Sequence, residues 1–280
     1  MFRAYAKINL GLFVLRKRRD GYHDIETIFH RIDLFDEITL QPSPGISVEC
    51  SAGEVPGDER NICHKAARML QSFFGIDTGV CITIVKNIPV GAGLGGGSAD
   101  GALVLKELPQ LWGKRIDDQT LRTLALELGS DVPFFLGRGS ASARGRGEIL
   151  EYFELDIPYT ILLCNPHLHV STAWAYARIR PKARADAHDL QTLVREGMLN
   201  PPLLRNALRN DFEPPVFETY PEVLLIKETM VGGGAEAASM SGSGSSVYGF
   251  FSRPEAAQST SRMLQSKGYK TFLTRPHFQP

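Results

Sequence analysis

The spacing of apolar positions changes several times along the chain, and each change marks an element. Between residues 4 and 15, Ile8, Leu10, Leu12 and Val14 fall on one parity, the two-residue period of a half-buried strand. Arg19-Asp20-Gly21 is turn chemistry, and Ile25, Thr27 and Phe29 then restore the alternation. Residues 37–40 and 45–50, joined through Pro42-Ser43-Pro44, read as a hairpin. The period then lengthens. Asn61 stands as a cap before Ile62, Ala66, Met69, Leu70 and Phe73, which keep helical spacing. Residues 80–85 are a β-branched run and predict a strand. Residues 99–108 predict a helix that Pro109 should end. Asp117 opens another, with Leu121, Leu124, Ala125 and Leu128 on one face and Gly129 at the stop position.

The second half repeats this vocabulary. Strands are predicted at 159–164, 246–251 and 269–274, short helices at 172–178 and 189–195, and a longer helix at 254–267. Helices and strands mix without strict βαβ alternation, which predicts an α+β architecture. The length of 280 residues suits two domains. Their expected spans are 1–153 and 154–280, divided near 151–158, where a glycine-rich β segment gives way to a new strand.

Composition narrows the function. Hydrophobic residues at 43% and charged residues at 22% describe a folded globular chain. Lys plus Arg equals Asp plus Glu at 31 each, a balance that argues against a dedicated nucleic-acid binder. Cys50, Cys63, Cys81 and Cys164 are scattered and form no CxxC. They fit neither a disulfide framework nor a zinc site, and they suit a reducing cytoplasm. No apolar run approaches the roughly 20 residues needed to cross a bilayer, and no leader segment is expected.

The strongest local signal is the run from Gly91 to Gly97, in which five of seven residues are glycine. Glycine has no Cβ and accepts positive φ, so backbone N–H groups can converge on an anion. A helix is predicted directly after the run, and its unpaired N–H groups would face the same anion. That describes a phosphate cradle. Gly91-Ala92-Gly93-Leu94-Gly95-Gly96 also satisfies GxGxxG, but Asn87-Ile88-Pro89 separates it from the preceding strand, so the dinucleotide context is poor. The Walker pattern fails because no Lys precedes Ser98. A flexible surface loop is the plainest alternative.

Other candidates are weaker alone. Lys7 and Asn9 share one face of an apolar strand, and a solvated edge strand explains them as simply as a site does. Asp131 precedes Val-Pro-Phe-Phe, either as a partly buried carboxylate that needs a partner or as a turn residue. Ser241-Gly242-Ser243-Gly244-Ser245-Ser246 is a second small-residue loop, an ordinary turn or a second wall around a phosphate. His23, beside Tyr22 at a turn, is on its own more often incidental than functional. His167 and His169 have no third ligand candidate nearby and read as loop residues. Arg144-Gly145-Arg146-Gly147 is either a solvated hairpin or a phosphate contact.

Together these segments resemble the GHMP kinases, the superfamily of galactokinase, homoserine kinase and mevalonate kinase. The residues that carry the resemblance are Ala6-Lys7-Ile8-Asn9-Leu10, Asp20-Gly21-Tyr22-His23, Gly93-Leu94-Gly95-Gly96-Gly97-Ser98, Ser130-Asp131-Val132-Pro133-Phe134 and residues 241–246. Within the superfamily the pattern is most similar to the branch acting on 4-(cytidine 5′-diphospho)-2-C-methyl-D-erythritol. The resemblance implies an α+β fold of two domains, the first like domain 2 of ribosomal protein S5 and the second ferredoxin-like. It implies ATP and Mg²⁺ as cofactors, with Lys7 and Asp131 catalytic. Pro89, Gly91, Gly93, Leu94, Gly95, Gly96, Gly97, Ser98 and Ala99 would hold the nucleotide, with Asn61, Ile62 and Lys86 around its adenine. Asn9, Tyr22, His23, Phe29, Thr172, Tyr176, Ser241 and Gly242 would hold the acceptor. Of these, Tyr22, Phe29 and Tyr176 would wall the cytosine and His23 would read it. The implied partner is a small molecule, with no nucleic acid and no membrane, for a cytoplasmic monomer or weak homodimer. Two positions depart from the pattern: Tyr5 stands where Pro is usual, and Ser241 where Thr is common. A sibling GHMP kinase of homoserine or mevalonate type, or a dinucleotide-dependent oxidoreductase, are the alternatives.

Overall fold

The structure, a computed structural model, describes residues 1–181 and 189–280. Its first part runs β1 (Phe2–Lys17), β2 (His23–Ser43), β3 (Ile46–Cys50), α1 (Ile62–Phe74), β4 (Gly79–Val85), α2 (Gly96–Leu111) and α3 (Asp118–Leu128). A short 3₁₀ helix, Val132–Leu136, follows, then β5 (Ser140–Arg144) and β6 (Ile149–Phe153). The remainder runs β7 (Thr160–Asn165), α4 (Thr172–Tyr176), α5 (Leu190–Gly197), α6 (Pro201–Ala207), α7 (Glu213–Thr219) and α8 (Pro221–Gly232). It closes with β8 (Ala237–Met240), β9 (Val247–Phe251), α9 (Pro254–Gln265) and β10 (Lys270–Thr274). Two compact units form from interleaved segments. Unit 1 is Met1–Ala6, Leu34–Val90 and Gly95–Arg138; unit 2 is Lys7–Asp33, Gly91–Leu94 and Gly139–Pro280.

In unit 1, β2 pairs antiparallel with β4 from Glu37↔Val85 to Ser43↔Gly79, and β3 pairs parallel with β4 on its other side. Val80, Ile82 and Ile84 alternate into the core, where Ala66, Leu70, Ala102 and Leu105 of α1 and α2 meet them. The hairpin predicted at 37–50 is therefore not formed. A proline removes one donor but leaves its carbonyl, and the pairing of β2 runs on through Pro42. Pro109 likewise does not end α2, which continues to Leu111. It falls in the last turn, and Trp112 N–H closes onto the Leu108 and Pro109 carbonyls at 3.2 and 3.1 Å. Asn61 caps α1 and Asp117 caps α3 as expected, accepting from Cys63 and Thr120 N–H.

In unit 2, β2 pairs with β5 from Thr27↔Ala143 to Phe29↔Ala141, and β5 and β6 form an antiparallel ladder. Gly145 and Gly147 turn between them with positive φ, so the Arg144–Gly147 stretch is a hairpin turn. A second sheet has the order β10-β7-β9-β8, antiparallel throughout. Its two central strands, β7 and β9, are buried at every position. Val223, Ile226 and Leu264 from α8 and α9 share a core with Leu162 and Val247. β1 is also more deeply set than its alternation predicts: nine consecutive positions, Ala6 to Val14, are buried but for none.

Candidate active site

In unit 2, several backbone segments are stitched together at short range. Lys7 N–H donates to the Leu94 carbonyl at 2.9 Å, and Ser246 N–H to the Ala92 carbonyl at 3.3 Å. The Ser241 hydroxyl donates to the Gly93 carbonyl at 2.9 Å and accepts from Asn9 N–H at 3.3 Å. Gly93 has φ 77°, and a Cβ there would overlap the Ser241 carbonyl oxygen. Only glycine permits both the conformation and the approach. The glycine-rich start of residues 91–94 and the late Ser-Gly loop are thus one packed feature.

Lys7 and Asn9 stand on β1 beside this feature and are 4% and 2% exposed, so the solvated-edge reading of that strand fails. Lys7 Nζ donates to Asn9 Oδ1 at 2.7 Å and lies 4.9 Å from the Phe29 ring centroid. Asn9 Nδ2 donates to Thr27 Oγ1 at 3.0 Å, whose hydroxyl donates to the Gly11 carbonyl at 2.5 Å. Tyr248 OH donates to the Asn9 carbonyl at 2.7 Å. The amide of Asn9 therefore has a fixed orientation, and it holds the Lys7 ammonium through its oxygen. The polar atoms of the late loop are placed the same way: Asn210 Nδ2 donates to the Gly242 carbonyl at 2.9 Å, and Thr172 Oγ1 sits 3.1 Å from Ser243 Oγ.

Of the aromatic residues expected around a base, His23 and Tyr176 are in contact, stacked at 4.8 Å with an 18° interplanar angle. Tyr176 in turn meets Phe212 edge-on at 4.9 Å. Burial, with Lys17 nearby, holds the His23 imidazole below its ordinary pKa, which favours the neutral ring. The Tyr22 ring is half exposed, with the Arg146 guanidinium 4.6 Å from its centroid. Phe29 is fully buried under Lys7. His169 packs against Gly91, whose missing Cβ would strike its ring, and His167 N–H donates to Asn165 Oδ1 at 3.0 Å.

The unit 1 part begins at Gly95, the left-handed cap of α2 with φ 68°. Gly96, Gly97 and Ser98 form the first turn of that helix, and Ala99 N–H closes it onto the Gly95 carbonyl at 2.9 Å. A helix start of this kind presents unpaired N–H groups and the positive end of the helix dipole. A Cβ on Gly97 would meet nothing nearer than Ile62 Cγ2 at 3.8 Å, so packing does not require glycine there. A backbone kept bare for a ligand does. Asp131, half-buried, immediately precedes the 3₁₀ helix Val132–Leu136. Asn61 is engaged twice, accepting from Cys63 N–H at 2.8 Å and donating to the Pro56 carbonyl at 2.7 Å. Lys86 is buried, with Nζ bonded to Asp36 Oδ2 at 2.5 Å and Asp100 Oδ2 at 2.6 Å. Neither carboxylate was picked out in the sequence. They lie 50 and 14 residues from Lys86, and no local pattern joins them.

With this geometry established, comparison with known proteins defines the class. The profile of the GHMP kinases N terminal domain matches residues 61–139, and that of the GHMP kinases C terminal matches residues 190–270. The chain belongs to the GHMP kinases, and so is an ATP-dependent small-molecule kinase with the two-domain α+β fold of that family. It is 44% identical to the 4-diphosphocytidyl-2-C-methyl-D-erythritol kinase of Chlorobium limicola, across 99% of this chain and 96% of that one. A crystal structure of 4-(cytidine 5′-diphospho)-2C-methyl-D-erythritol kinase matches with a TM-score of 0.81 at 34% identity, covering 98% of this chain and 97% of that one. Homoserine kinase from Cytophaga hutchinsonii matches with a TM-score of 0.71 at 22% identity, covering 89% of each chain, a likeness of fold alone. The oxidoreductase reading of the GxGxxG is thereby set aside. No helix among the described residues is long and apolar enough to cross a membrane.

Proposed function

We propose that this chain transfers the γ-phosphoryl group of ATP to the 2-hydroxyl of 4-(cytidine 5′-diphospho)-2-C-methyl-D-erythritol, a step of non-mevalonate isoprenoid precursor synthesis. The observation that carries the reading is the 44% identity, over nearly the whole chain, to a kinase named for that acceptor. The contact between His23 and Tyr176 supports it, since those are two of the residues assigned to the cytosine.

Phosphoryl transfer asks a protein for positioning and charge stabilisation more than for covalent chemistry. The bare first turn of α2, Gly96 to Ser98, suits the anionic phosphates of ATP. The Lys7 ammonium, steadied by Asn9 Oδ1, is assigned to the charge developing on the transferred group. Asp131 is assigned to the acceptor hydroxyl, whose proton it accepts or whose oxygen it orients. Tyr22 and Tyr176 are assigned to the faces of the cytosine, and His23, held neutral, to its hydrogen-bonding edge. Bound together with ATP, Mg²⁺ would supply charge neutralisation at the phosphates. Among the described residues no group of three or more His, Cys, Asp or Glu could hold a metal ion; a cation carried mainly by phosphates needs no such cage, and the Ser98 hydroxyl is the group nearest in kind to such a role. The same reading makes the protein a cytoplasmic monomer or weak homodimer.

ADP release measured across cytidine diphosphate-methylerythritol, its uridine analogue, homoserine, mevalonate and galactose tests the assignment. The cytidine compound should be the best acceptor, and preference for any of the last three overturns the reading. Lys7→Ala and Asp131→Ala should each lower kcat at least about 100-fold while ATP still binds. Near-normal turnover removes that residue from its role.

A further inference from the structure

Unit 1 buries three ionisable side chains against one another beside the helix start just described. Asp36, on β2, is fully buried; the Lys86 and Asp100 side chains are 6% and 4% exposed. The Lys86 ammonium joins the two carboxylates. Three details tie this cluster to the glycine loop. Asp36 Oδ1 accepts the backbone N–H groups of Asn87 and Ile88 at 2.6 and 2.9 Å, the last residues before Pro89. Asp100 lies one turn inside α2, whose first residues are Gly96, Gly97 and Ser98. Lys86 Nζ lies 3.2 Å from where a Cβ on Gly96 would stand, so the ammonium is packed against the first turn itself.

One atom in the cluster is unsatisfied. Asp100 Oδ1 is buried and has no hydrogen-bond partner. A buried carboxylate oxygen without a donor is costly, and stability alone gives no reason to keep it. We propose that Asp36 and Asp100 are positioning residues for nucleotide binding, fixing the Lys86 ammonium and the first turn of α2 in the arrangement that receives the phosphates. The proposal rests on the kinase reading above but not on its choice of acceptor.

The arrangement has a charge consequence. Burial raises the Asp100 carboxyl, Lys86 opposes the rise, and Asp36 adds to it, for a pKa of about 8. Asp36 from β2, Lys86 from beyond β4 and the Cys63 thiol from α1 are the ionisable groups that face it. A raised pKa favours the protonated Asp100 carboxyl near neutrality. Above about pH 8 the cluster gains a negative charge behind the first turn, which disfavours an anion there.

The test is equilibrium binding of ATP without any acceptor, from pH 7 to pH 9. The unmodified protein should weaken by about three- to tenfold across that range, the scale of one added charge at partly screened distance. Asp100→Asn, which cannot ionise, should give a flat profile. Asp36→Asn keeps an oxygen for the Asn87 and Ile88 N–H groups but loses its charge on Lys86. It should weaken ATP about tenfold or more at pH 7. A merely structural cluster would lower Tm in both variants and leave ATP affinity and its pH profile unchanged, which overturns the proposal. Should Asp36→Asn fail to fold, the Asp100→Asn profile decides: a profile as steep as that of the unmodified protein is fatal. With no acceptor present, a wrong assignment of the acceptor leaves these results untouched.

Discussion

Two buried polar clusters, one in each unit, are built by different means. Unit 1 gathers charge: Asp36, Lys86 and Asp100 are closed against one another. Unit 2 passes hydrogen bonds along neutral groups, from Asn9 to Thr27 to the Gly11 carbonyl, and from Tyr248 and Ser241 to backbone oxygens. The buried Lys7 ammonium donates to an amide oxygen there. Even its buried histidine follows the rule. His30 pairs with the Ser140 hydroxyl at 2.8 Å, and burial, aided by Arg31, lowers its pKa to about 4. The contrast is between a cluster of carboxylates closed on one ammonium and a chain of hydroxyl, amide and carbonyl links that are individually modest.

The sharpest way to break the comparison is Asp36→Ala. It strips Lys86 of one of its two carboxylates and the Asn87 and Ile88 N–H groups of their acceptor, a loss of about 3–5 kcal/mol on the scale of a broken buried ion pair. The measurement is the urea midpoint at pH 7, and a loss under about 1 kcal/mol would make the two networks alike. Next in size is the acid limb of stability. The His30 pKa is lower in the folded state than its ordinary value of 6.5, so its stabilising contribution is present above about pH 6.5 and is lost as pH falls through about 4. Across that span the loss is about 3 kcal/mol, and His30→Gln should remove this part of the slope. Asp100 runs the other way. Its raised pKa makes its contribution fully present below about pH 4, and lost as pH rises through about 8; Asp100→Asn should flatten that limb alone. Smallest is Thr27→Val in unit 2, expected to cost about 1 kcal/mol for a neutral link, with no change in the pH dependence of unfolding. A pH-dependent effect would show that the network carries charge after all.

Three helices with side-chain caps were legible, with Asn61, Asp117 and Asp189 at their starts; α6, capped by Asn200, was not. Three helices that open on proline were not, whereas α9, which opens on Pro254, was. α6 and α7 begin with Pro201-Pro202 and with Glu213-Pro214-Pro215, and α8 with Pro221; proline disfavours a helix interior but is tolerated in its first turn. The glycine loop could be found because five of its seven residues are glycine. The burial of Lys7 and Asn9 could not, since it depends on Ser241 and Tyr248, more than 230 residues away. The Asp36–Lys86–Asp100 cluster was silent for the same reason: its members come from a strand, a strand end and a helix whose individual patterns look ordinary.

The interleaving of the two units has a consequence for synthesis. Every segment of unit 1 has been made once Arg138 has been added, whereas unit 2 needs Lys7–Asp33 and also everything from Gly139 onward. On the ribosome, Lys7–Asp33 must wait for partners while more than a hundred residues are added, several seconds or longer at roughly 5–20 residues per second. In that interval Leu10, Leu12 and Val14, buried in the finished protein, remain accessible to a chaperone. Unit 1 can close first. Arrested chains ending beyond residue 138 should therefore resist protease across the β4 and α2 region while residues 7–33 are still cut.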